Sequence, residues 1–168
     1  MISVTQNQIA RRAVALLLLA AGLALPGQKK PADAKEPEVA VIVNSQNPVE
    51  DISSADLRKI YSGEKQNWNS NLPIFVLVRA PQAREREVLL SRVLRMTDSE
   101  YKQFWIRKVY SGEAAREPLA LLSNGMQMEA VRAERGAIAI ISVQDLRGGV
   151  KVLKVDGHLP GTAGYALK

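Results

Sequence analysis

The chain has 168 residues, 46% of them apolar and 24% charged, which is sufficient for one globular domain with a hydrophobic core. It contains one histidine and no cysteine, so disulfides are excluded and a metal site of cysteine and histidine ligands is not expected. The net charge is +6, but four of the 23 basic residues and one of the 17 acidic residues precede residue 35, which leaves +3. A charge this small, with the basic residues interleaved with glutamates, does not predict nucleic-acid binding.

Residues 1–34 have the pattern of a secretory signal peptide. Arginines at 11–12 precede a 13-residue apolar run, Ala13–Leu25, which is too short for an ordinary transmembrane helix. The Ala-Asp-Ala sequence at 32–34 offers a cleavage site, and Gly-Leu-Ala at 22–24 offers a second one. An uncleaved N-terminal anchor is the alternative that this pattern leaves open.

Residues 35–168 are predicted to form a single domain in which buried strands alternate with helices. Three continuous apolar runs are typical of strands buried on both faces, and a fourth run alternates as an edge strand does. The first helix has Ser53 as its N-cap and Gly63 at its end. These patterns indicate an α/β domain with a largely parallel sheet. The predicted strands are Val39–Val43, Ile74–Val78, Ala137–Ile141 and Val150–Val155, and the later helices are Gln82–Arg95, the region around Tyr101–Tyr110, and Ser123–Arg135.

A seven-residue echo ends two of these helices. Arg58–Glu64 reads RKIYSGE and Arg107–Glu113 reads RKVYSGE, so the copies differ only at Ile60 and Val109. Two similar helix ends explain the echo, because each helix closes on a glycine. Seven residues are too few to indicate a duplicated domain. Trp105, in the apolar stripe of the second helix, is predicted to lie in the core.

The first copy belongs to a longer pattern, in which a helix and a tryptophan-containing loop precede an apolar strand that ends in arginine. The match is acidic-Leu-x-x-Ile-aromatic-x-Gly-x-x-x-x-Trp, and it continues through Ile74–Arg79, Gly136–Ser142 and the closing run 150–168. In this order the segments resemble the periplasmic phosphate-binding proteins of ABC transporters, over nearly all of residues 38–168. The residues that carry the first segment are Asp56, Leu57, Ile60, Tyr61, Gly63 and Trp68.

The resemblance implies a three-layer lobe of the type 2 periplasmic-binding-protein fold, with a mostly parallel sheet and flanking helices. It also implies an exported, periplasmic, non-enzymatic protein that binds phosphate or another small oxyanion without a cofactor and hands it to a membrane transporter. Members of the family bind the oxyanion in a cleft between two lobes, whereas this chain is expected to form one lobe or a reduced version. A single lobe supplies half a cleft, so a small anion bound there would stay exposed to solvent and would bind weakly.

The segment Arg79–Arg86 (RAPQARER) follows a predicted strand and opens a predicted helix, where α/β proteins build anion sites. Phosphate-binding proteins of this family carry an arginine here, a short spacer, and then Gly-Ser-Gly-Thr-Arg. On that comparison Arg79 is the leading arginine, Arg86 is the trailing one, and Gln82–Glu85 replaces Gly-Ser-Gly-Thr. The hydroxyl donors are therefore absent, and the new glutamate would repel an anion. The predicted contacts are both guanidinium groups and the backbone N–H groups near Ala83. A surface helix with i, i+3 and i, i+4 charge pairs is the alternative.

A second candidate site is the loop after the first strand, with Asn44, Ser45 and Asn47. These side chains follow the carboxyl end of the strand, where ligands bind in open α/β sheets. The alternative is that they are ordinary turn formers. Trp68 also stands in a loop, where contact with a ligand or partner and burial in the core both remain open.

Catalytic groups are not recognisable in the sequence. His158 is the only histidine and stands in a Gly/Pro-rich loop, with nothing to indicate a serine and a carboxylate partner. Paired carboxylates such as Asp98 and Glu100 fit a helix cap. The sequence therefore favours binding over catalysis, by one of two routes. Either the domain binds a small oxyanion, or the fold is retained for protein–protein contact with an envelope protein or a sensor.

Overall fold

The computed structural model of the protein describes residues 38–68 and 71–168. The predicted signal and cleavage region, residues 1–34, lies outside the described residues. Lys35–Lys168 form one compact unit by their internal contacts. Within the described ranges, no helix has the length and apolar character needed to cross a bilayer.

Strands of the described residues form a central sheet and a short ribbon. The sheet contains five strands, and the predicted strand 150–155 is divided at Leu153 between the sheet and the ribbon. The strands are β1 (Val39–Asn44), β2 (Asp51–Ile52), β3 (Phe75–Arg79), β4 (Leu119–Leu121), β5 (Ala137–Ser142), β6 (Val150–Val152) and β7 (Lys154–Val155). The sheet order is β4–β3–β5–β1–β6, and β2 pairs with β7 in the parallel ribbon.

The direction of β1 distinguishes this sheet from a fully parallel one. β3 is parallel to β4 and β5, whereas β1 is antiparallel to both of its neighbours, with Val43 opposite Ile138. Four of the five strands therefore run in one direction, which confirms the predicted α/β class with its mostly parallel sheet. Because β1 is reversed, its last residue, Asn44, lies at the edge opposite to Arg79 and Ser142, the last residues of β3 and β5.

α1 begins at its predicted cap, and α3 begins at a capping box. Ser53 accepts a backbone N–H of the first turn at 3.0 Å, and Thr97 and Glu100 form a reciprocal capping box. The predicted helix 82–95 is present, but its second half is π-helical and it ends at Arg95, which has a left-handed φ of 55°. The helices are α1 (Ser54–Tyr61), α2 (Arg84–Val88) with its π-helical continuation (Leu89–Leu94), α3 (Asp98–Tyr110) and α4 (Asn124–Ala133), and a 3₁₀ turn spans Val143–Asp145.

Helices cover both faces of the sheet, which gives three layers. α4 packs on one face, where Met128 and Val131 join the buried side chains of β1 and β5. α1, α2 with its continuation, and α3 cover the other face, where Leu57, Ile60 and Tyr61 lie in the larger core cluster. Burial raises the pKa of the Tyr61 phenol far above its ordinary range, so this side chain is neutral and belongs to the core.

Both tryptophans lie in the core. Trp105 is 4% exposed, as predicted. Trp68, whose role the sequence left open, is 3% exposed, and its indole N–H donates to the Gly136 carbonyl at 3.0 Å, so it stabilises the core. Of the two methionines in α4, Met128 is 6% exposed and lies in the core, whereas Met126 is 44% exposed.

Candidate functional site

The candidate site lies at the sheet edge where β3 and β5 end. Arg79 is the last residue of β3, and the chain then turns into α2, whose second residue is Glu85. α4 begins with Asn124, shortly after the neighbouring strand β4, and the 3₁₀ turn that follows β5 ends at Asp145. Because β3, β4 and β5 are parallel, the residues that follow them meet at one edge.

Arg79 binds groups of its own chain on both sides. Its Nη1 donates to the Leu121 carbonyl at 2.9 Å, and its Nε lies 3.4 Å from Oε2 of Glu85. Glu85 is buried, with its side chain 7% exposed, and the side chain of Arg79 is 13% exposed. A carboxylate therefore sits beside the guanidinium at the place where the resemblance predicts an anion.

Asn124 holds the same carboxylate from the other side. Its Nδ2 donates to Oε1 of Glu85 at 2.6 Å and to Oδ2 of Asp145 at 2.7 Å. Its Oδ1 is buried and has no hydrogen-bond partner among the described residues. Sequence analysis missed Asn124 and Asp145, although the cap at Ser123 marks a helix start after a strand, which is the available signal.

Arg86 contacts α3. Its Nε donates to Oδ1 of Asp98 at 2.7 Å, its Nη1 donates to the Arg79 carbonyl at 3.3 Å, and its guanidinium lies 4.8 Å from the centroid of the Tyr101 ring. Hydrogen bonding from Lys102 and then the pairing with Arg86 hold the pKa of Asp98 below its usual range. Both predicted arginines are thus paired with carboxylates in the structure.

The backbone before α2 forms a tight turn at Gln82 and Ala83. Gln82 has a φ of 69°, a conformation that favours glycine, and on the family comparison it replaces a glycine. Ala83 is the N-cap of α2 and has no hydroxyl with which to cap it, unlike Ser53, Thr97 and Ser123 at the other helices. The Ala83 N–H donates to the Ala80 carbonyl at 3.3 Å.

The structure does not bring Asn44 and Ser45 to the arginines. The reason is the reversed direction of β1, which places the loop after it at the opposite edge of the sheet. Asn44 is buried, its Nδ2 donates to the carbonyls of Val131 and Arg132 at 2.9 Å, and it thereby satisfies the end of α4. Ser45 is exposed in the turn beyond. Of the five predicted ligand contacts, Arg79, Ala83 and Arg86 share one edge.

An α/β lobe with a buried polar cluster at the carboxyl ends of parallel strands has the layout of a ligand-binding domain. Residues 37–163 match the PBP superfamily domain, and the chain belongs to that family. No group of three or more histidine, cysteine, aspartate or glutamate side chains within the described ranges is placed to hold a metal ion.

Solved structures of phosphate-transport proteins share the fold. A Clostridium perfringens protein proposed to be a phosphate ABC transporter substrate-binding protein, solved with bound phosphate, is 23% identical, with a TM-score of 0.58 over 73% of this chain and 46% of its own. A Vibrio cholerae ABC-type phosphate transport receptor is 21% identical, with a TM-score of 0.58 over 74% and 48%. PstS from Borrelia burgdorferi is 18% identical, with a TM-score of 0.62 over 78% and 54%. The chain therefore spans about half the length of the solved structures it matches.

Proposed function

We propose that this protein is a solute-binding component linked to ABC transport, and that it takes phosphate or another small oxyanion at the Arg79 edge of the sheet. The observation that supports the proposal is the position of Glu85. A carboxylate is itself an oxyanion, and it is held here by the half-buried guanidinium of Arg79 and the buried amide of Asn124. The family and the phosphate-transport proteins of the same fold support a ligand of this class.

The position of Glu85 also predicts that the wild-type protein binds a small oxyanion weakly. An external oxyanion must displace Glu85, which is attached to the protein and therefore present at a high effective concentration. Each hydrogen bond to a charged group contributes about 1.5–3 kcal/mol, and Glu85 already takes those of Arg79 and Asn124. We infer that Glu85 is the residue that sets the affinity, with Arg79 and Asn124 as ligand contacts and the backbone near Ala83 beside them.

The deciding experiment is calorimetric titration of residues 35–168 with phosphate, with sulfate as the competing oxyanion. Glu85→Thr restores the family's threonine and removes the internal carboxylate, so we expect it to tighten phosphate binding by roughly tenfold or more. The matched control is Glu87→Thr, in the same helix, because Glu87 is exposed and its distance to Arg84 in their ion pair is long, at 3.8 Å. Circular dichroism would verify that the variants are folded.

Two arginine variants in the Glu85→Thr background define the site. Arg79→Gln is expected to abolish the gained affinity, and it is tested there because in the wild type it would leave a buried, unpaired carboxylate. Arg86→Ala tests whether Arg86 contacts the ligand, which would weaken phosphate binding, or only pairs with Asp98, which would leave the affinity unchanged. The absence of phosphate binding in both the wild type and Glu85→Thr would contradict the proposal.

Export is part of the proposal. The signal pattern and the single domain at 35–168 support a periplasmic protein released after residue 34. Cell fractionation with N-terminal sequencing of the recovered protein tests this. Recovery of a chain that begins at Met1 would contradict cleavage.

Protein recognition is the second candidate function, and one observation favours it. An apolar surface on α3 and the edge strand β4 is exposed, with Tyr110 at 89%, Leu122 at 76%, Ile106 at 55% and Leu119 at 47%. β4 has an unpaired outer edge, which suits an extended apolar segment of a partner protein. Saturable, Arg79-dependent oxyanion binding by the wild-type chain would favour the first candidate over this one.

A further inference from the structure

A pocket of about 310 Å³ lies among α1, the π-helical segment and the C-terminal segment. Three arginines stand around it: Arg58 from α1, Arg92 from the π-helical segment and Arg95 at the end of that segment. None of its lining residues belongs to the Arg79–Glu85–Asn124 cluster, so the two sites can be altered independently.

The charges of this pocket are not neutralised as those of the other site are. Arg79 and Arg86 each pair with a carboxylate, whereas Arg58, Arg92 and Arg95 form no ion pair with any residue in the described part of the chain. One pocket residue, Ser54, donates hydrogen bonds from its backbone N–H and its hydroxyl to the carboxylate of Asp156. Three arginines that form no ion pair among the described residues therefore surround one concavity.

The side chains that line the pocket indicate which class of ligand it can bind. A guanidinium presents a planar fork of donors that matches two oxygens of a phosphoryl group. Ala55 and Ala166 also line the pocket and are exposed, so they provide an apolar floor next to the buried side chains of Leu57, Val93 and Leu167. A phosphoryl group with an organic remainder uses both parts of such a surface, whereas a bare inorganic anion uses only the arginines.

We propose that the Arg58–Arg92–Arg95 pocket is a second anion site, which binds the phosphoryl group of a phosphate ester. Two sources of that group are a soluble phosphate ester and the headgroup of an anionic phospholipid. In both cases the guanidinium groups contact the phosphoryl oxygens and the apolar floor contacts the carbon atoms next to them.

The test is residue-resolved NMR of 15N-labelled residues 35–168 with two probes. Glycerol 3-phosphate represents the soluble ester, and vesicles of phosphatidylcholine with phosphatidylglycerol represent the lipid, against vesicles of phosphatidylcholine alone. Amide shifts or line broadening are expected at 54–58 and 92–95 with one or both probes. Arg92→Gln/Arg95→Gln is expected to weaken binding by roughly tenfold or more.

The matched control is Arg107→Gln, since Arg107 lies on α3, outside the pocket. Binding that is lost in the double variant and kept in the control supports the proposal, and the probe that binds identifies the source. Absence of both responses, or an equal loss in Arg107→Gln, overturns it, because an equal loss would show only nonspecific attraction to positive charge. Shifts confined to residues around Arg79 and Asn124 would also overturn it while supporting the proposed oxyanion site.

Discussion

The two copies of the seven-residue echo have the same local structure and opposite environments. In both, the helix ends at tyrosine, the serine hydroxyl lies 3.2 Å from the carbonyl three residues earlier, and the glycine has a φ of 72° or 76°. Yet Tyr61 is fully buried and Tyr110 is 89% exposed. A short sequence therefore determines how a helix ends, whereas the packing of the whole chain determines what that end contacts.

The surroundings of Gly63 and Gly112 differ in the same way. A Cβ at Gly63 would lie 2.9 Å from the Trp105 ring, whereas a Cβ at Gly112 would meet nothing within 4 Å. The first helix end is packed against the second helix, while the second helix end faces outward, next to the exposed surface of Ile106 and Leu119. Because the two copies are so alike, each substitution in one copy has a natural control in the other.

The largest expected effect is at the tyrosines. Tyr61→Ala should lower the free energy of unfolding by about 3–5 kcal/mol, because it opens a cavity in the core, whereas Tyr110→Ala should change it by about 0.5 kcal/mol or less. Urea unfolding measures both. If Tyr61→Ala does not fold, Tyr61→Phe removes only the hydroxyl, which lies 3.4 Å from the Leu77 carbonyl, and should cost about 1 kcal/mol. Equal effects of the two alanine variants would contradict the comparison.

The glycines should give the next largest difference. Both substitutions to alanine impose a left-handed conformation on a residue with a side chain, which costs about 1–2 kcal/mol. Gly63→Ala should cost more than Gly112→Ala, because the new methyl group also displaces the Trp105 ring. Thermal unfolding with tryptophan fluorescence measures both the stability and the displacement. A fluorescence change in Gly112→Ala alone would be inconsistent with this packing.

Substitutions of the two serines should differ less in their effect on the free energy of unfolding. Ser62 is 4% exposed and donates to Glu64 at 2.8 Å, so Ser62→Ala should cost about 1 kcal/mol. Ser111 makes the equivalent bond to Glu113 at 2.9 Å but is exposed, and Ser111→Ala should cost a few tenths of a kcal/mol. Denaturant midpoints of the two variants at equal slope provide the measurement. A larger loss at Ser111 would show that burial is not the cause.

The smallest expected effect concerns pH and the start of α3. The folded-state pKa of Asp98 is lowered, so its contribution to stability is present above the ordinary aspartate pKa of about 3.9 and is lost as the pH falls through the lowered value. Since Asp98 is 39% exposed, the contribution is about 0.2–1 kcal/mol. Asp98→Asn should reduce the acid-dependent part of the unfolding free energy by that amount. An unchanged pH profile would show that the pairing with Arg86 and Lys102 does not stabilise the fold.

The sequence predicted the fold well where one residue pattern suffices. The apolar runs of β1 and β5 are confirmed because both strands are buried along their length, and Ser53, Thr97 and the two glycines define helix ends through local hydrogen bonds. The reversal of β1 was not predictable in this way, because an apolar strand has the same pattern in either direction. The position assigned to Asn44 failed for that reason.

The site was predicted in part for a similar reason. The replacement of threonine by Glu85 on the family comparison is visible in the sequence, and a changed anion site stays a prediction from it. Its pairing with Asn124 is not visible, because the two residues are 39 positions apart and meet only when β3 and β4 lie side by side. The residue types at the site could therefore be inferred from the sequence, whereas the partner of each charged side chain depends on which strands lie side by side in the sheet.

The reversed strand β1 also constrains the order of folding. Among the described residues it is the first strand, but it lies inside the sheet and pairs with β5 and β6, which come from the last third of the sequence. Until that part of the chain has been synthesised, the apolar residues Val39–Val43 lack both of these neighbouring strands. Nascent or truncated chains that end before Ala137 would therefore expose an apolar strand with two unpaired edges, which makes them prone to aggregation.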